Sequence, residues 1–340
     1  MRLDVRLGEI TGAAVAAQRA EALGFDGAWT SETGHDPFLP LAVAAPHTRA
    51  LSLGTSIAVA FPRNPLITAH LAWDLQHMTG GRFILGLGTQ VKGHMQRRFG
   101  VPWDAPGPRL RDYIAALRAI WTAWRDDAPL EYRGAFYTHT FMPTFFRPAP
   151  LPAAAVQIPV TVAGVQEHMC RLAGEVADGL HVHPLHSVAY LRSVVQPAVA
   201  AGLYLAGRPA GACPLIVSVL IATGHGQTDL DAAIAAVRRQ VAFYASTPNY
   251  RIILACHGWE GIGADLTRRS ARGDRDGMAA LVTDSMLEAF AVVGTPSEVT
   301  RTLRERYAGV VDRIAVYAPF EPEADLTPHR ALLEAFRLNR

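Results

Sequence analysis

The chain has 340 residues, half of them apolar, and its 32 basic and 30 acidic side chains leave a formal charge of only +2. No basic run alternates with aromatics, so nucleic acid is not an expected partner. No uninterrupted apolar run reaches the roughly 18 residues of a membrane span, and no basic-then-apolar signal segment opens the chain, so a cytoplasmic protein with no membrane partner is expected.

In chain order, apolar runs of strand character occur at residues 3–7, 27–31, 53–60, 83–88, 160–163, 179–183, 215–222 and 313–317. Helical patterns accompany them at 11–23, 37–47, 65–79, 109–124, 166–176, 188–201, 229–245 and 297–307. In the third, Asn64-Pro65 opens the helix, Leu71, Leu75 and Met78 are expected to form its buried stripe, and Gly80-Gly81 ends it. Strand–helix alternation repeated through the chain predicts a parallel sheet with right-handed crossovers, and eight units is the number that closes a (β/α)8 TIM barrel. A doubly wound open sheet is the alternative. No linker interrupts the pattern, so one domain spanning 1–340 is expected.

Two regions exceed what a barrel needs. Residues 89–159, after strand 4, contain one good helix and then YRGAFYTHTFMPTFFRPAPLP at 132–152. That stretch is too apolar for a solvated loop and is expected to form an inserted lid over the barrel. Residues 247–287 are expected to add helices before the last strand.

Function in such a barrel sits at the carboxyl ends of the strands. Strand two runs into Ser31-Glu32-Thr33-Gly34-His35-Asp36, which brings a carboxylate and an imidazole within three positions; Asp36 before Pro37 suits a helix cap. Strand four runs into Gly88-Thr89-Gln90, where small residues let backbone N–H groups approach a ligand. Lys92, the only lysine, follows and suits either an anionic ligand or the solvated surface. Strand five ends in Ala163-Gly164-Val165, and a helix beginning near Gln166 would direct free N–H groups at the mouth, a ready phosphate site or an ordinary turn. On strand six, His181 and His183 face the same side, the spacing of metal-dependent barrel hydrolases or of two inward histidines beside a ligand. No neighbouring carboxylate or lysine pattern completes a metal site, so none is expected. Cys170, Cys213 and Cys256 are read as buried reduced thiols.

The segments GFDGAWTSE (24–32), LGTSIAVAFPRNP (53–65), TGGRFILGLGTQ (79–90), VAGVQEHMCRLAGEVADGLHVHP (162–184) and VVGTPSEVTRTLRERY (292–307) resemble, in order, those of the luciferase-like flavin and deazaflavin oxidoreductases. The likeness is greatest to the branch that uses coenzyme F420. It implies that Ser56 and Ile57 form a bulge on strand three, in many members containing a non-prolyl cis peptide, which with Ala58 backs the cofactor ring. It further implies that Gly88, Thr89 and Gln90 line the ring's edge and that Ala163, Gly164, Val165 and Gln166 hold the phosphate. Glu32 matches an acidic position. Thr33 and Val91 stand where relatives carry a proton-transferring histidine and a glutamate, so His35, His181 or His183 becomes the stand-in. The implied activity is hydride transfer between F420 and a small, apolar or planar organic substrate at the barrel mouth, in a homodimer. An FMN-dependent monooxygenase of the same fold is the nearest alternative. A metal-dependent hydrolase using His181 and His183 is the alternative of another class, and a non-catalytic flavin-binding relative is the third.

Overall fold

Strands β1 (Arg2–Arg6), β2 (Gly27–Thr30), β3 (Ser52–Thr55), β4 (Phe83–Gly88), β5 (Val160–Gly164), β6 (Leu180–Val182), β7 (Leu215–Ala222) and β8 (Arg313–Pro319) pair in parallel, each with the next. Strand β8 then pairs with β1, Arg313 opposite Arg2 and Ala315 opposite Asp4, which closes the barrel and excludes the open sheet. This computed structural model describes residues 1–224, 226–324 and 326–337.

Helices α1 (Ala13–Leu23), α2 (Leu39–Ala44), α3 (Pro65–Thr79), α4 (Pro106–Arg125), α5 (Glu167–Val176), α6 (Gln196–Leu205), α7 (Gln227–Ala245) and α8 (Pro296–Tyr307) follow the strands around the outside. Their ends carry the expected chemistry. Asn64 caps α3 by accepting the Leu66 N–H at 2.9 Å, and Gly80 closes it with φ +63°. Thr295 and Glu298 cap α8 reciprocally ahead of Pro296. The buried face of α3 differs from the expected stripe. Ala69, Ala72, Trp73, Leu75 and Gln76 are buried, whereas Met78 is on the outside, because small residues are what let this helix lie close to the sheet.

The segment leading into α6 contains a wide turn at Leu191–Val195 where a plain helix is expected over 188–201. The whole run Val188–Leu205 is long and apolar enough to cross a membrane by composition. Here it lies against α5, at a crossing that two glycines make possible: a Cβ on Gly174 would stand 2.2 Å from the Val199 carbonyl oxygen, and one on Gly202 would stand 2.0 Å from that of Arg171. Between α7 and α8 the expected extra helices are present, at Arg251–Ala255, Glu260–Ala271, Arg275–Ala280 and Asp284–Phe290. They lead into a short strand, Ala291–Val293, that extends the outer edge of β7 and has no counterpart in the sequence reading.

The insertion after β4 holds the short helix Lys92–Arg97, then α4, then a hairpin of Tyr132–Arg133 and Thr138–His139. Asp112 of α4 fixes this hairpin by accepting the N–H groups of Phe136 and Tyr137 and the Tyr132 hydroxyl. Tyr137 reaches the rim, where Arg109 donates to its hydroxyl and lies over Phe61. The rest of the segment returns along the outside of α3, whose Trp73 and Gln76 donate to the carbonyls of Ala149, Ala155 and Gln157. The rings of Phe141 and Phe145 are 80% and 89% exposed, so the aromatic stretch is not buried as a lid over the barrel.

Candidate active site

Alternate residues of a strand face one side, and in this barrel the inward set is unusually polar. Its lowest layer is a closed ion pair: Arg313 donates to both oxygens of Asp4 at 2.7 and 2.6 Å, and Trp29 Nε1 donates to the same carboxylate at 2.8 Å. Both charged side chains are buried. Gly27 and Gly54 make room, since a Cβ on either would stand 2.4 Å from the Arg313 guanidinium or the Trp29 ring. Trp29, Ile216, Ala315 and Ile84 form the apolar layer above.

Strand three breaks at the next level. The run 53–60 is not one strand: β3 stops at Thr55, the Ser56–Ile57 peptide bond is cis, and pairing resumes at Ala58–Val59, opposite Leu87 and Gly88 of β4. The β-branched composition of the run is the same for a straight and a bulged strand, which is why it reads as continuous. The Thr55 hydroxyl repairs the ladder by donating to the Gly86 carbonyl at 2.7 Å and accepting the Gly86 N–H at 2.8 Å. Ser56 N–H donates to the Thr30 carbonyl, and Glu32 N–H to that of Ile57.

Glu32 holds the bulge from the other side. One carboxylate oxygen accepts both the Val59 N–H and an Arg63 N–H at 2.7 Å, and Arg63 also pairs with Asp36 at 2.9 Å. Asp36 accepts the Phe38 N–H at 2.8 Å, closing a turn ahead of α2, but it is not the expected helix cap, since α2 starts after Phe38 and has no side-chain cap. His35, on the same loop, is exposed, and among the described residues no hydrogen bond or ring contact joins it to the other candidates.

Ile57 lies over Gly88, where a Cβ would stand 2.6 Å from its terminal carbon and 3.6 Å from Ala163 Cβ. Ile57, Gly88 and Ala163 therefore lie together as one wall at the mouth, with Ser56 and Ala58 flanking Ile57 along the chain. Thr89 and Gln90 continue along its edge, the Thr89 hydroxyl donating to the Gln90 carbonyl and Gln90 taking a φ of +59°. Gly164 is buried against Leu180 and Met169. The Val165 carbonyl accepts the Tyr190 hydroxyl, and Gln166 precedes α5 with its amide donating to the Asn249 carbonyl rather than capping the helix. Lys92, Arg97 and Arg98 are exposed beyond this edge, and Arg98 donates to the Thr33 carbonyl.

The two strand-six histidines have separate surroundings. His181 lies edge-on to Trp29 at 4.9 Å, its Nδ1 is 3.4 Å from the Ser56 hydroxyl, and its Nε2 is buried without a partner. Gly86 admits this ring, since a Cβ there would stand 3.1 Å from Nε2. Burial, reinforced by the Arg6 and Arg313 guanidiniums, holds its pKa down at about 3. His183 sits between Tyr244 and Tyr250 at 4.5 and 4.2 Å, and its Nδ1 accepts the Leu185 N–H, which puts its proton on Nε2. Burial and the neighbouring His186 lower its pKa to about 3 as well. Among the described residues no group of three His, Cys, Asp or Glu side chains converges as a metal site. Cys170 and Cys213 are buried thiols, and Cys256 is only half-buried.

The sequence reading passed over Arg6, Ser218, Tyr244 and Tyr317, which complete this level of the barrel. The available signal was a charged residue inside an apolar strand. Size alone does not locate the site: a cavity of about 560 Å³, lined by Gln196, Leu203, Cys213 and Asp312 among others, opens at the N-terminal ends of β7 and β8.

The family model described as luciferase-like monooxygenase matches residues 5–313. An uncharacterized protein of Mycobacterium tuberculosis is 48% identical over 306 residues, 90% of this chain and 89% of that protein. The 5,10-methylenetetrahydromethanopterin reductase of Methanolobus tindarius is 30% identical over 319 residues, 91% of this chain and 90% of the reductase. Among solved structures, the coenzyme F420-dependent tetrahydromethanopterin reductase from Methanopyrus kandleri superposes with a TM-score of 0.79 at 23% identity, covering 98% of this chain and 97% of that one. The barrel closed by β1 and β8, with its broken third strand, is thus that of a relative of these reductases, and the chain belongs to the luciferase-like monooxygenase family.

Proposed function

We propose that this chain is an F420-dependent oxidoreductase that exchanges a hydride with a small organic substrate at the carboxyl-terminal mouth of the barrel. The observation that carries the reading is the break in strand three, which seats Ile57 over Gly88 and next to Ala163, a group of small or apolar residues against which a flat ring system would rest. The similarity to F420-dependent reductases supports the same cofactor. The residues fit such a group: Ile57, Gly88 and Ala163 are small or apolar, His181 Nε2, against Gly86, is buried without a partner, and the first turn of α5 has no side-chain cap.

When bound, the deazaflavin supplies or accepts the hydride. Ser56, Ile57 and Ala58 would back its ring, Gly88, Thr89 and Gln90 would hold its edge, and Ala163, Gly164, Val165 and Gln166 would hold its phosphate at the start of α5. Glu32 is a positioning residue, because its carboxylate is already engaged in holding Val59 and Arg63. His181, neutral at pH 7 and in line with the Ser56 hydroxyl, moves the accompanying proton. His183 shapes the opposite wall with Tyr244 and Tyr250, and His35 stands outside the group.

Side-by-side fluorescence titrations with F420 and FMN test this. Tighter F420 binding is expected; tighter FMN binding, or protein purified with stoichiometric FMN, would favour the monooxygenase reading that the family model keeps open. The hydrolase reading loses its basis, since the two histidines do not share a ligand position.

A further inference from the structure

Among the described residues, Arg313 and Arg6 both project into the barrel, and of these two Arg313 has a carboxylate partner. Arg313 is closed on Asp4. Arg6, two residues further along β1, faces the mouth and is partly buried, and among the described residues no acidic side chain pairs with it. Its guanidinium donates to the hydroxyls of Ser31 at 2.5 Å and Ser218 at 3.5 Å, and lies 5.1 Å from the ring centre of Tyr317. The last contact follows from a break in register: between Asp4 and Arg6, β1 advances two residues while β8 advances from Ala315 to Pro319.

Guanidinium carries five donors, and two weakly basic hydroxyls leave most of them unused. A cation withdrawn from water in this way is unfavourable unless a counter-charge completes it. The neighbouring phenols do not provide one. Tyr244 donates to or accepts from Tyr317, and burial raises its pKa well above the ordinary tyrosine range, so it stays neutral. An anion from outside the chain would complete the guanidinium's pairing.

Strand order decides what that anion belongs to. The ring-backing residues come from β3, β4 and β5, whereas Arg6, Ser218 and Tyr317 come from β1, β7 and β8, and Ser31, in the loop after β2, lies between the two groups beside the bulge. We propose that Arg6, with Ser31 and Ser218, is the anion receptor of the substrate pocket, and that the substrate is a small organic acid whose carboxylate it binds. Tyr244, Tyr250 and Tyr317 then face the acid's carbon skeleton. This rests on the F420-dependent reading for the location of the cofactor and names the substrate class that the sequence left as apolar or planar.

The test is calorimetric titration of the full chain with benzoate, phenylacetate and hexanoate, each beside its neutral amide, in wild type, Arg6→Gln and Arg6→Lys. The acids should bind and the amides should not, Arg6→Gln should weaken the acids at least tenfold, and Arg6→Lys should retain part of the affinity. F420 affinity, read separately by fluorescence, should change less than twofold. Thermal melting guards against a structural explanation: loss of an unpaired, desolvated cation should leave Tm unchanged or raise it, whereas a fold-supporting Arg6 would lower it. Equal acid binding in Arg6→Gln, failure of all three acids to bind wild type at millimolar concentration, or loss of F420 affinity in place of acid affinity would overturn the proposal. Acid binding that depends on Arg6 in a protein that binds no F420 would leave the receptor standing and remove the cofactor reading instead.

Discussion

The Ser56 hydroxyl stands 3.4 Å from Nδ1 of His181, while the other nitrogen of that ring is buried without a partner. The two residues are 125 positions apart, and the contact exists because β3 breaks after Thr55 and because Gly86 leaves space for the imidazole between the strands. A neutral histidine with one nitrogen on a hydroxyl and the other free can take and release a proton without becoming a resident cation.

His181→Asn should therefore lower turnover by about 10²–10⁴-fold, the usual range for a lost proton-transfer group, while F420 affinity stays within a few-fold. Because the pKa of His181 is held near 3, the wild-type kcat/KM profile should show no acid limb near pH 6.5 from this group. A limb at about 6.5 that disappears in His181→Asn would show that the ring is protonated during the cycle.

The same burial makes the fold sensitive to acid. His181 and His183 titrate near 3 and His186 near 4 in the folded chain, against about 6.5 when unfolded. Between those values the unfolded state binds more protons, so stability rises with pH across the window and is lost as pH falls from about 6.5 toward 3. Melting curves at pH 7.5, 6, 5 and 4 should show a declining Tm, and His186→Asn should flatten the decline if it folds as wild type does at pH 7.5. A flat Tm over this range would contradict the buried, neutral state of all three rings.

Periodicity revealed the eight barrel strands because each is buried on both faces, and burial leaves a composition that can be read locally. Resemblance located the break at Ser56–Ile57, and the cofactor roles proposed for Gly88 and Gly164 rest on it as well. Glu32 shows why local sequence was not enough. Its partner Arg63 is 31 residues away, on the far side of the β3 break, and a carboxylate that fixes a neighbouring loop has the same local sequence as one that donates a proton. Arg6 and Asp4 are charges inside an apolar strand, and the sequence reading passed over both. Nothing local distinguishes them, since pairing with Arg313 depends on barrel closure. Phe141 and Phe145 misled because aromatic content was taken as a sign of burial, and a short return along α3 leaves them exposed.

Glu32→Ala should destabilise the fold by roughly 1–3 kcal/mol, since it leaves the Val59 N–H without its acceptor and the partly buried Arg63 with Asp36 alone. It should also weaken F420 binding by loosening the bulge. Glu32→Gln keeps an acceptor for Val59 and should recover most of the cofactor affinity. Urea denaturation and F420 titration of both variants check this. A Glu32→Gln protein that binds F420 normally but has lost all turnover would instead make Glu32 the proton donor.

Gly86 and Gly88, two positions apart on β4, should respond to alanine in opposite ways. At Gly86 the added Cβ would stand 1.8 Å from the Thr55 carbonyl oxygen, a backbone atom that cannot move without opening the ladder beside the bulge. Gly86→Ala should cost roughly 3 kcal/mol or more and express poorly. At Gly88 the nearest atom is the terminal carbon of Ile57, at 2.6 Å, which can swing away. Gly88→Ala should cost only about 1 kcal/mol, melt close to wild type, and yet weaken F420 several-fold because the displaced Ile57 side chain enters the wall against which the ring rests. Unaltered F420 affinity in a well-folded Gly88→Ala protein would remove this wall from the cofactor site, and with it the assignment of Ser56, Ile57 and Ala58.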